Sequence, residues 1–86
     1  MRVTVISSER SLFDGEAVAV VAPAFDGLVG ILPRHAPFMT LLGEGVLTVR
    51  GGGGGRGESS RFRVAGGFLQ VVRDSVRVVV GTAESA

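Results

Sequence analysis

Arg61-Phe62-Arg63-Val64-Ala65-Gly66-Gly67-Phe68-Leu69-Gln70-Val71-Val72-Arg73-Asp74-Ser75-Val76-Arg77-Val78-Val79-Val80 is the stretch on which the fold turns. Phe62 and Val64 alternate with Arg61, Arg63 and Ala65. Val76, Val78 and Val80 alternate with Ser75, Arg77 and Val79. A period of two sends successive side chains to opposite faces of a strand, and Val and Phe fit a pleated, half-buried surface. Gly66-Gly67 and Arg73-Asp74-Ser75 punctuate the runs as turn signals.

Working outward, Val3 and Val5 alternate with Arg2, Thr4 and Ile6, and further turn signals fall at Asp14-Gly15, Asp26-Gly27 and Gly43-Glu44-Gly45. Strands are expected at 2–7, 11–13, 16–22, 27–31, 37–42, 45–50, 61–65, 67–72 and 75–80. No long stretch free of Gly or Pro carries a helical stripe. Short strands separated by turns define an all-β sandwich or flattened barrel, and 86 residues form one domain, 1–86.

Composition excludes several chemistries. There is no Cys, so no disulfide framework or thiolate zinc site, and a single His makes no metal site. Net charge is +1, from nine Arg, no Lys and eight acids, with the Arg spread from Arg2 to Arg77. Nucleic-acid binders carry a clustered basic stripe. The alternative reading is a free-standing small β-barrel that binds single-stranded nucleic acid or a protein ligand; the nucleic-acid form would need stacking aromatics on that stripe, and only five Phe are present, with no Tyr or Trp. The apolar run Ala17 to Ala22 ends at Pro23, far short of the about 18 residues of a spanning helix, and Met1 to Val5 reads as strand rather than signal peptide. No membrane insertion and no small-molecule substrate are expected.

The Gly-rich tract at residues 51–60 reads as a flexible hairpin tip between two strands. It lacks the Lys of a phosphate loop, and no helix follows to hold a dinucleotide pyrophosphate. His35 lies in Pro33-Arg34-His35-Ala36-Pro37, where the prolines fix the backbone. No Gly-x-Ser-x-Gly elbow accompanies it, nor the positioned partners that general-base work needs. Asp14, Glu16 and Asp26 sit at turn signals, where Asp bonds locally. No catalytic, cofactor or metal residue is therefore assigned.

Phe25 to Leu42 is the unusual segment. A domain this small has few places to bury Leu28, Val29, Ile31, Leu32, Phe38, Met39, Leu41 and Leu42 together. Some of them are expected to form an exposed apolar patch, and such patches on soluble domains are partner surfaces.

Gly30-Ile31-Leu32-Pro33-Arg34-His35-Ala36-Pro37 resembles the Gly-Ile-x-Pro-x-His-Ala-Pro signature of the epsilon subunits of F-type ATP synthases. Thr40-Leu41-Leu42 and Gly45-Val46-Leu47 continue the likeness. Upstream, Val5-Ile6-Ser7-Ser8-Glu9 and Leu12-Phe13-Asp14-Gly15-Glu16 are similar to the family's opening motifs. Downstream, Gly66-Gly67-Phe68-Leu69-Gln70-Val71 is similar to its Gly-Gly-Phe-Leu-x-Val. The match is collinear over residues 3 to 83.

The resemblance implies a sandwich of two antiparallel sheets with about ten short strands. It implies a non-catalytic rotor subunit that links the gamma shaft to the polar loops of the membrane c ring and helps couple proton transport to ATP synthesis. Its place would be the cytoplasmic face of the bacterial inner membrane. The expected partner contacts are Leu28, Val29, Gly30, Ile31, Pro33, His35, Ala36, Pro37, Phe38, Met39 and Thr40. Gly27-Leu28-Val29-Gly30 departs from the family's Gly-Glu-Leu-Gly, so an apolar contact replaces an acidic one. The family continues into two helices, whereas this chain stops at Glu84-Ser85-Ala86. If that length is natural, the helical domain and inhibition through it are absent.

Overall fold

The alternation becomes seven strands in a computed structural model that describes residues 1–34, 36–51 and 59–85. They are β1 (Arg2–Ile6), β2 (Ser11–Ala24), β3 (Gly27–Ile31), β4 (Phe38–Leu41), β5 (Glu44–Gly51), β6 (Ser59–Val72) and β7 (Ser75–Ser85). No helix occurs among the described residues.

The sheet closes on itself. Its order is β1-β7-β6-β5-β2-β3, β4 pairs with β6, and β1 also pairs with β2. Strand β1 is the clasp, antiparallel to β2 through Arg2↔Glu16 and parallel to β7 through Val3↔Val76 and Val5↔Val78. Three long strands pass from one layer to the other. The first half of β2 pairs with β1, and its second half pairs with β5 and β3. The first half of β6 pairs with β5 and its second half with β4, while β7 follows β6 along most of its length. One layer is thus β4, the end of β6, the start of β7, β1 and the start of β2. The other is β3, the end of β2, β5, the start of β6 and the end of β7.

This corrects two expectations. Asp14-Gly15 and Gly66-Gly67 are not turns between separate strands; they lie inside β2 and β6. The about ten segments expected of two sheets arise from seven strands, because β2, β6 and β7 serve both layers. The corners have local causes. In β2 the register slips between Ala17 and Ala19, leaving Val18 as a bulge that bends the strand. In β6, Gly66 and Gly67 have φ of 76° and 110°. A Cβ on Gly67 would run into the Val79 carbonyl, and one on Gly81 would lie 2.7 Å from the Ala65 carbonyl oxygen. Strands β6 and β7 touch backbone to backbone at that corner, which only Gly permits.

The turn at Arg73-Asp74 holds as read. Val72 pairs with Ser75, leaving a two-residue loop in which Arg73 has φ 57°, the positive φ that matches hairpin twist. Of the tract 51–60 expected as a hairpin tip, Gly51 ends β5 and Ser59 and Ser60 begin β6, while residues 52–58 lie outside the described residues.

Between the layers lie Val3, Val5, Ala17, Val20, Ala22, Ile31, Leu42, Leu47, Val49, Val64, Leu69, Val71, Val76, Val78 and Val80, all at 5% exposure or less. Most are Val, whose restricted χ1 costs little entropy on a strand. No polar or charged residue is buried among the described residues, so burial of apolar area carries the fold.

Candidate partner-binding surface

Two strands, β3 and β4, one in each layer, place most of the apolar segment. Ile31 pairs with Val20 and is fully buried, and Leu42 is core as well. Ile31 therefore presents no side chain to a partner. Leu28, at the start of β3, is 75% exposed, and Val29 is half-buried against the core. Gly30, Pro33, Ala36, Pro37, Phe38 and Met39 are exposed and Thr40 is half-buried. His35 lies outside the described residues.

Alternation on β4 and its neighbours sorts the rest. Leu69 and Val71 point inward, so Phe68, Gln70 and Val72 point outward. Across the ladders, Leu41 pairs with Phe68, Phe68 with Val79, and Val79 with Ile6. One row of apolar side chains therefore crosses four strands on the outer face of the first layer. Met39 lies beside it, opposite Gln70. The backbone N–H of Phe25, at the tip of the β2–β3 hairpin, donates to the Leu41 carbonyl at 3.1 Å. That bond brings the exposed Phe25 ring and the hairpin tip against the end of the row.

The row is what inspection of the chain missed. Phe25, Leu32 and Leu41 belong to the flagged segment but were not assigned contacts, yet all three are more than 60% exposed. Phe68, Val79 and Ile6 come from outside the segment. The parity of Met39 and Leu41 within β4 was available as a signal; the cross-strand register that joins them to Phe68 was not.

Charged groups lie around the margins. The Arg2 guanidinium donates from Nε (3.0 Å) and Nη2 (2.6 Å) to Asp14 Oδ1. The terminal ammonium of Met1 lies 3.5 Å from Glu16 and 3.7 Å from Asp74, and donates to the Ala17 carbonyl at 3.1 Å. Pro33, Arg34, Ala36 and Pro37, with Arg73 and Asp74, border an open hollow. Among the described residues, no group of three or more acids, His or Cys stands close enough to hold a metal ion, and no helix is long and apolar enough to cross a membrane.

The fold and this surface define a small β-sandwich with an outward apolar band. Over residues 1–86 the sequence matches the family described as ATP synthase, Delta/Epsilon chain, beta-sandwich domain, and the chain belongs to that family. It is 41% identical over 86 residues to the ATP synthase epsilon chain of Moorella thermoacetica, covering 98% of this chain and 60% of that protein. It is 43% identical to the epsilon chain of Solibacter usitatus, covering all of this chain and 61% of that protein. The chain thus spans about three-fifths of the curated relatives it matches. Two solved structures share the fold. One is a mitochondrial ATP synthase OSCP/F1/c-ring assembly of Euglena gracilis (TM-score 0.86, 22% identity, 96% of this chain and 51% of that one). The other is the central stalk and c ring of the Tetrahymena thermophila enzyme (TM-score 0.80, 20% identity, 99% and 66%).

Proposed function

We propose that this chain is a non-catalytic central-stalk subunit of an F-type ATP synthase, joining the gamma subunit to the polar loops of the c ring and helping couple proton transport to ATP synthesis. It works at the cytoplasmic face of the bacterial inner membrane as a peripheral part of the complex. Family membership over residues 1–86 supports the reading. The observation that carries it is the apolar band: Leu41, Met39 and Phe25 exposed and continuous with Phe68, in a domain whose core is otherwise complete. Exposed apolar area of this kind costs solubility unless a partner covers it.

The band takes gamma. Leu28, within the Gly27-Leu28-Val29-Gly30 stretch that replaces the family's acidic pattern, takes the ring loops. Joint Met39→Asp and Leu41→Asp substitution is expected to abolish co-purification with gamma while leaving the unfolding free energy within about 1 kcal/mol of wild type. Retained binding by the folded variant would exclude the band as the gamma contact. A Leu28→Asp variant is expected to bind gamma normally and to lower proton-driven synthesis in reconstituted vesicles.

A further inference from the structure

The opposite face of the sandwich has a different character. Val49 and Leu47 of β5 and Val64 of β6 point into the core, so Arg50, Thr48, Val46, Arg61 and Arg63 point outward on adjacent strands. The register sets them side by side: Arg50 is opposite Ser59, Thr48 opposite Arg61, and Val46 opposite Arg63. Arg50 and Arg61 are thus diagonal neighbours, about 7–8 Å apart at the backbone. Arg61 and Arg63 stand two residues apart on one strand, about 7 Å. All three arginines are exposed.

Their charge is incompletely answered. Among the described residues the ion pairs involve only the Met1 ammonium and Arg2. Glu84 faces Arg63 across the β6–β7 ladder, and Glu44 lies in the same open hollow. Among the described residues no acid is paired in register with Arg50 or Arg61, whose partners there are Ala19, Ser59 and Thr48. Like charges held this close repel, and an anionic partner relieves the repulsion.

We propose that this outer face of β5 and β6 binds an acidic polypeptide segment, with Arg50 and Arg61 as the principal contacts and Arg63 as a third. The chemistry selects that partner over the other anions. Guanidinium forks donate to carboxylates in a bidentate geometry, and Val46 and Thr48 beside the arginines, with Val21 opposite Thr48, suit the body of a polypeptide. Anionic membranes are held by about 4–8 basic residues in a cluster, and single-stranded nucleic acid by aromatic stacking; this face has three arginines and no outward aromatic ring among the described residues. The site lies across the sandwich from the apolar band and does not depend on how that band is used.

The test titrates the purified protein with a glutamate oligomer of about ten residues at low salt, in parallel with phosphatidylglycerol vesicles and a thymidine oligonucleotide. Saturable, salt-sensitive binding of the glutamate oligomer is expected. Joint Arg50→Gln and Arg61→Gln substitution should lower its affinity about tenfold, and Arg61→Lys, which keeps the charge but loses the fork, by a few-fold. Arg77→Gln, on the far face, should leave it within about twofold. Absent binding, an equal loss on Arg77→Gln, or tighter binding to the vesicles or the oligonucleotide would each overturn the proposal.

Discussion

At Gly67 one methyl group decides whether β6 can pass from one layer to the other. Its Cβ would meet the Val79 carbonyl and come within 2.8 Å of Val80 Cα, at a φ of 110°. Gly66 also has positive φ, but a Cβ there would meet nothing within 4 Å. Gly67→Ala is therefore expected to cost about 3 kcal/mol or more, through clash added to strain. Gly66→Ala is expected to cost about 1–2 kcal/mol, through strain alone. Urea denaturation of both separates the two; equal losses would remove the close approach as the cause. Ile31 and Leu41 make a second contrast. Ile31→Ala empties a core site and should cost about 2–5 kcal/mol, whereas Leu41→Ala, at 63% exposure, should change stability by less than about 0.5 kcal/mol. Inward parity at Val3, Val5, Val64, Val76, Val78 and Val80 was legible from alternation alone, because burying one face imposes a period of two. The burial of Ile31 was not, because it sits in an apolar run without alternation, where either face could be the inner one.

At the scale of the element, β3 was readable to its ends, since Asp26-Gly27 opens it and Pro33 follows soon after its last residue. Strands β2 and β6 were not, because Gly within a strand and Gly between strands look alike in a single sequence. Whether Gly66-Gly67 stops a strand or bends it depends on what lies against it, here β7. The same register that hides in sequence builds the apolar row, since Leu41, Phe68, Val79 and Ile6 meet only once β4, β6, β7 and β1 are aligned. Pairing also sets local stability. Strand β6 is bonded on both sides from Phe68 to Val71, while β3 and β4 each pair with one strand along their length. Native-state hydrogen exchange is expected to open β3 and β4 well before β6, by about a hundredfold or more in protection. Uniform protection across the three would contradict this division.

For the whole molecule, the balance of core and surface makes the case for a partner. A chain of this size buries a modest share of its surface, and the exposed Arg2–Asp14 pair is worth about 0.2–1 kcal/mol. The apolar band adds exposed area that the free domain does not use. Under the proposed stalk role, binding of gamma to the folded state should raise the unfolding free energy by about 2.7 kcal/mol at a hundredfold excess over Kd, visible as a higher thermal midpoint. The measurement that bears most directly on the stalk reading is the affinity of purified gamma for the wild-type chain and for the Met39→Asp, Leu41→Asp variant, with circular dichroism confirming that both are folded. The expected result is tight binding by the wild type and a loss of about a hundredfold or more in the variant, as for paired anchor residues in an interface centre. Equal affinity of the two folded proteins, or no affinity of the wild type for gamma, would contradict the account.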